Sequence, residues 1–310
     1  MEFNIESELQ KVLVLLEQGK PEEAQKYISG LFEFAIDCEE IVYTNKCCTY
    51  WVDSLRRLRE FEDPFERCDS FLTEWKNYQK FISKEEFVYE PAVYSVQKGF
   101  FTNALKYFSG MLEEKDSIQR SEMYRKTGIC YKKLGNYETA KDYLIEANNI
   151  CPNNAAVIAE LADCYCLCGE DKIGKVLFRE AFFLDPALID LDFLDSELIK
   201  ALIQRTKEKG FSGKVLHYWI PVYGVLLGIF NIKRDLNSQE VARLKKNIYA
   251  MENEYKDPSC NEEIIIPKLL NSYFWQIDHY NLTHEPVMKI NEILLKIKIL
   301  DSSIYEAYIR

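Results

Sequence analysis

Two neighbouring stretches of 34 residues align without a gap: SEMYRKTGICYKKLGNYETAKDYLIEANNICPNN (121–154) on AAVIAELADCYCLCGEDKIGKVLFREAFFLDPAL (155–188). Gly135 falls on Gly169, Tyr131 on Tyr165, Ala147 on Ala181, Pro152 on Pro186, Leu144 on Phe178 and Gly128 on Ala162. Self-similarity at a fixed period of this length is the mark of a chain built from one stacked supersecondary unit. It constrains the fold more than any overall property of the sequence does.

The pattern resembles the tetratricopeptide repeat family: a large residue, then Leu-Gly, Tyr, a turn Gly, Ala, Phe, Ala and Pro. The first unit supplies Tyr124, Thr127, Gly128, Tyr131, Gly135, Ala140, Leu144, Ala147 and Pro152. The second supplies Ile158, Leu161, Ala162, Tyr165, Gly169, Gly174, Phe178, Ala181 and Pro186. Thr127 departs from the family's Leu and Gly174 from its Ala. A helix-interior Gly costs about 0.5–1 kcal/mol against Ala, so the sequence predicts a softer helix around Gly174.

Physical chemistry accounts for the pattern. Two antiparallel helices approach closely only where a small residue faces the partner. Gly128, Ala162, Ala140, Ala147 and Ala181 are those sites, with Tyr131, Tyr165, Leu144 and Phe178 filling the space between. Gly135 and Gly169 make the turns, where positive φ is cheap for Gly. Pro152 and Pro186 end the second helices.

Upstream, FVYEPAVYSVQKGFFTNALKYFSGML (87–112) fits a weaker copy through Ala92, Gly99, Ala104 and Phe108. There Gly99 aligns with Gly135 after two extra residues. Residues 5–31 fit through Val12, Gly19, Ala24 and Ile28, and residues 47–81 read as a helix pair broken near Asp63-Pro64. The expected fold is all-α: an alpha-alpha superhelix, a TPR-like solenoid, with a C-terminal helical extension. The expected divisions are 1–84 (divergent helix pairs), 85–188 (repeats) and 189–310 (capping helix and C-terminal helices).

The resemblance implies a right-handed superhelix whose first helices line a concave face, where family members commonly bind peptides or partner helices. Residues one turn apart on those helices then face a groove: Tyr89, Val93 and Gln97; Glu122, Arg125, Ile129 and Lys132; Ala159, Asp163 and Cys166. Aromatic and aliphatic positions beside two cations suit a segment with an apolar anchor and an acidic residue. The carboxylate-clamp members of the family carry Lys, Asn and Arg at set positions. Here the corresponding residues are Tyr89, Val93, Lys126, Ala156 and Glu160, so the clamp is absent in this register.

The net charge of −11 disfavours bulk attraction to nucleic acid or anionic lipid. Ten cysteines at irregular spacings, after an opening MEFNIESELQ without a secretory apolar core, predict reduced thiols in the cytoplasm. In ADCYCLCGED (162–171), Cys164 and Cys168 lie about 40° apart on a helix while Cys166 points nearly opposite. Such thiols do not converge on one tetrahedral metal. Cys164 reads as packing, Cys166 as lining a surface and Cys168 as a helix end; no metal or cofactor is expected.

Beyond Pro186 the repeat fades into helices over 195–210, 237–255 and two more joined near Thr283. The segment VLHYWIPVYGVLLGIFNI (215–232) has 18 residues without a formal charge, the lower limit for a membrane span. Pro221 interrupts it, so it reads as a buried helix or a partner surface, with membrane contact as the alternative. His217, His279 and His284 have no ligand spacing, and no phosphate-binding loop or nucleophile elbow occurs. The expected function is a non-enzymatic adaptor or assembly scaffold for a protein or peptide. Its alternatives are a chaperone or secretion-assembly factor using 215–232, and an enzyme with a C-terminal site.

Overall fold

The computed structural model describes residues 5–35 and 37–310; the first four residues, part of the N-terminus read above, lie outside it. Among the described residues every regular element is helical. The chain divides into two compact units, 1–150 and 151–310.

The first unit opens with α1 (Ile5–Glu17) and α2 (Pro21–Ala35), which pack together across Gly19 at φ +76°. Next come α3 (Glu39–Arg59) and α4 (Pro64–Ile82). The break expected at Asp63-Pro64 is a helix start: the Asp63 carboxylate accepts from the Phe65 backbone N–H at 2.7 Å, and Pro64 opens the first turn. Then α5 (Glu90–Ser109) runs as one continuous helix. This corrects the expectation for 87–112, whose copy of the repeat is not a helix pair. Gly99 sits in mid-helix, not in a turn. A Cβ there would lie 1.8 Å from the Leu16 carbonyl oxygen, so Gly99 is where α5 crosses the end of α1. Spacing alone does not distinguish a turn glycine from a crossing glycine.

Because α5 returns onto α1 and α3, this part departs from a plain stack in which each pair touches only its neighbours. Large rings fill the junction of α3, α4 and α5: Trp75 meets Phe101 edge-on at 4.8 Å, and Phe71 packs on Phe100 and Phe108. The unit ends with the first aligned repeat, α6 (Ser117–Lys133) and α7 (Tyr137–Ile150).

The second unit opens with the second repeat, α8 (Ala155–Leu167) and α9 (Asp171–Leu184). In both repeats the expected turn glycines, Gly135 and Gly169, have φ +82°, and Ala140, Ala147, Ala162 and Ala181 are fully buried. Tyr131 and Tyr165 are half-buried. Pro152 lies exposed after α7, and Pro186 opens a short 3-10 turn, Pro186–Leu188, a second following at Leu191–Phe193.

Five helices follow: α10 (Glu197–Lys207), α11 (Gly213–Leu226), α12 (Ser238–Tyr255), α13 (Glu262–Leu282) and α14 (Val287–Leu300). A short α15 (Ser302–Ile309), not foreseen from sequence, closes the chain. The apolar 215–232 segment folds back on itself. It stops at Gly228 (φ +69°), and Phe230 covers Gly224, whose added Cβ would meet its ring at 2.3 Å. That pair of glycines is thus a seat and a stop. Leu216, Trp219, Ile220 and Val222 are buried in the unit's core, and no described helix is long and apolar enough to cross a membrane.

Candidate functional site

The ten groove positions fall into two groups. Ile129, Lys132, Ala159 and Asp163 are buried; Tyr89, Val93, Gln97, Glu122, Arg125 and Cys166 are partly buried. Several already serve internal contacts. Gln97 donates to the Lys133 carbonyl at 2.9 Å. Arg125 grips Glu122 through two bonds of 2.7 and 2.5 Å. Burial pushes the Glu122 carboxyl up, but Arg125 and Lys126 outweigh it and hold it below the ordinary carboxylate value.

Asp163 accepts from the backbone N–H groups of Asp195 and Ser196 at 2.7 and 2.8 Å, at the entry to α10. It therefore ties the repeat to the helix that caps it. Cys166 faces α9, and desolvation with the nearby Asp171 and Asp163 pushes its thiol up to about 12. That leaves it protonated and unreactive at neutral pH. Cys164 is buried and Cys168 caps α8. No three His, Cys, Asp or Glu side chains of the described residues come together as metal ligands.

A concavity lies within the second unit, at a place the sequence did not indicate. It is a cleft of about 650 Å³ between the end of α9, α11, α12 and α13. Its frame is set by a buried ion pair. Arg179 on α9 pairs with Asp278 on α13, donates to the Ile232 carbonyl at 3.1 Å and stacks 4.5 Å over Trp275. Lys233 adds a 2.7 Å bond to the same Asp278. A buried charge persists only when paired in this way.

A second clamp holds α12 in place. Arg234 binds Glu180 at 2.6 and 2.8 Å and Glu240 at 2.7 and 3.0 Å. Glu240 also accepts from the Asn237 N–H while Asn237 accepts from Glu240, a capping box that starts α12. The Arg234 bonds hold the Glu240 carboxyl below its ordinary value.

One face of α12 then lines the cleft, through Arg243, Asn247, Ala250 and Met251, which recur at helical spacing. From α13 come Pro267, Lys268, Asn271 and Ser272. Pro267 lacks an N–H and leaves the Glu263 carbonyl without its helical donor. Asn271 and Ser272 are more than nine-tenths buried, and the Asn271 amide makes only a long 3.5 Å contact to the Phe182 carbonyl. Five amide side chains in all reach the cleft: Asn153, Asn237, Gln239, Asn247 and Asn271. Each end of an amide is a hydrogen-bonding group, one accepting and the other donating.

Sequence reasoning missed this cleft because its walls come from segments about a hundred residues apart. The local signals were Pro267 inside a helix and an amide-rich α12. Of the three histidines, His217 lies 3.1 Å from the Pro186 carbonyl, a packing contact, and His284 sits in a turn at φ +53°. No protein-family model matches the chain, and no curated protein matches it.

Proposed function

We propose that the chain is a non-enzymatic adaptor of the cytoplasm, in which tetratricopeptide-like helix pairs support a binding site for an extended segment of a protein partner. The site is the cleft of the second unit. The carrying observation is its lining: five amides around a buried floor that includes Asn271. An extended segment presents alternating N–H and C=O groups, and amides can bond both whatever the side chains. Pro267, Ala250 and Met251 add apolar surface for an anchor residue.

The titratable groups speak against catalysis. Glu180 and Glu240 are tied to Arg234, and Asp185 accepts from the Ala187 N–H at 2.9 Å. A general acid or base needs a free proton-transfer position and a pKa near the working pH, and Glu240 is shifted the other way.

The test is photo-crosslinking in the source cell. A benzophenone side chain replaces Asn247, which lines the cleft, or Tyr249, which is exposed on α12 outside that lining. The expected result is a crosslinked partner peptide from position 247 and not from 249. Equal capture from both, or none from 247, removes the cleft as the site.

A further inference from the structure

We infer that the segment held in this cleft carries a carboxylate, bound by Arg243 on α12 and Lys268 on α13. The inference rests on the peptide-binding reading above and narrows its ligand. It follows from an inventory of donors and acceptors.

Three carboxylates line the cleft, and each is already engaged. Glu180 and Glu240 share Arg234, Glu240 takes the Asn237 N–H as well, and Asp185 takes the Ala187 N–H. Two cations line it too, and neither has a carboxylate partner among the described residues. The Arg243 guanidinium brings five N–H donors and the Lys268 ammonium three. Lys268 is held in position, its nitrogen 4.9 Å above the Tyr218 ring, itself part of the lining. The cleft therefore has two cations without a carboxylate partner among the described residues, while two of its three carboxylates are already paired with Arg234. An occupant completes it by bringing an anion.

A carboxylate on a peptide fits better than a phosphate of nucleic acid, because the rest of the lining is amide, apolar and carboxylate, with no basic track for successive nucleotides. Charge-assisted bonds are about twice as strong as neutral ones, so exchanging the carboxylate for an amide of the same shape should weaken binding about tenfold.

Three pools of blocked eight-residue peptides test this, random except for a central Asp, Asn or Lys. Each is affinity-selected on the full-length protein, and selected peptides are measured by fluorescence anisotropy. The parent should prefer the Asp pool over the Asn pool about tenfold. Arg243→Gln/Lys268→Gln should abolish that preference, and Arg243→Glu/Lys268→Glu should move it to the Lys pool. Ala250→Trp, which fills the mouth of the cleft from an exposed position, should lose all three pools. Circular dichroism confirms that each variant is folded, and the neutral double variant decides the matter if the reversed one is not. Equal binding of Asp and Asn peptides by the parent, lost in Ala250→Trp, overturns the carboxylate but leaves the peptide-binding reading intact. A preference for Asp that survives in the neutral double variant also overturns it. Retention of no pool by the parent overturns both.

Discussion

The two aligned repeats build the same close contact with the glycine on opposite helices. In α6/α7, Gly128 on the first helix faces Ala140 on the second; an added Cβ would lie 3.2 Å from the Ala140 carbonyl oxygen. In α8/α9 the aligned positions are Ala162 and Gly174, and a Cβ on Gly174 would lie 2.9 Å from the Ala162 carbonyl oxygen. The sequence constraint is thus on the pair and not on either position. One member must lack a Cβ and the other must be no larger than Ala. This reverses the meaning of Gly174. Its departure from the family's Ala is not a soft spot left in the helix; it is the closer of the two approaches.

The largest expected effect comes from restoring the family's residue there. In Gly174→Ala the new methyl meets the Cys166 sulfur at 2.2 Å as well as the Ala162 carbonyl. Overpacking of this kind costs about 2–3 kcal/mol, more than the helix propensity that Ala returns. Adding Cys166→Ala removes the sulfur but not the carbonyl, and should recover about 1 kcal/mol. A double-mutant cycle by denaturant titration reads this coupling. A Gly174→Ala protein as stable as the parent would mean that α8 and α9 do not approach so closely.

The matching substitution in the first repeat is milder. A Cβ on Gly128 meets the Leu144 side chain at 2.7 Å before any backbone, and a leucine can give by a few tenths of an ångström. Gly128→Ala should cost about 1 kcal/mol after the helix-propensity gain. The order of the two costs matters more than either value. If Gly128→Ala proved the more damaging in the same titration, side-chain crowding and not carbonyl approach would set the helix spacing.

The same pair of repeats shows what a sequence displays and what it hides. Gly135, Gly169, Ala147 and Ala181 were legible because a repeat samples each structural position twice. Where the chain offers one sample, the same residue type misleads: Gly99 looked like a turn and is a helix crossing. Asp163 looked like a groove residue on helical phase alone. Its acceptors serve N–H groups some thirty residues later, a contact that no local pattern encodes. The cleft is hidden for the same reason on a larger scale. Asn153, Asn247 and Asn271 become neighbours only once Arg179 and Asp278 have joined α9 to α13.

The smallest effect expected distinguishes the repeats by charge. Position 122 is Glu in the first repeat and its counterpart 156 is Ala; 125 and 126 are Arg and Lys where 159 and 160 are Ala and Glu. Only the first repeat therefore holds a carboxylate in this position, and its folded pKa lies below the ordinary value because Arg125 and Lys126 outweigh desolvation. A depressed carboxyl contributes stability that is full above its unfolded pKa and is lost as the pH falls through its folded one. Acid should thus weaken α6/α7 by about 0.5–1 kcal/mol, the scale of a partly exposed ion pair, and leave α8/α9 without this contribution. Amide hydrogen exchange reads the two separately. After correction for intrinsic rates, protection over 117–150 should fall as the pH drops below 4.5, and the Glu122 share of that fall is the part a substitution there removes. Glu122→Gln should lower the first repeat's protection at neutral pH and flatten its acid dependence. An acid response that persists unchanged in Glu122→Gln would assign it to other carboxylates, and the two repeats would then differ in packing alone.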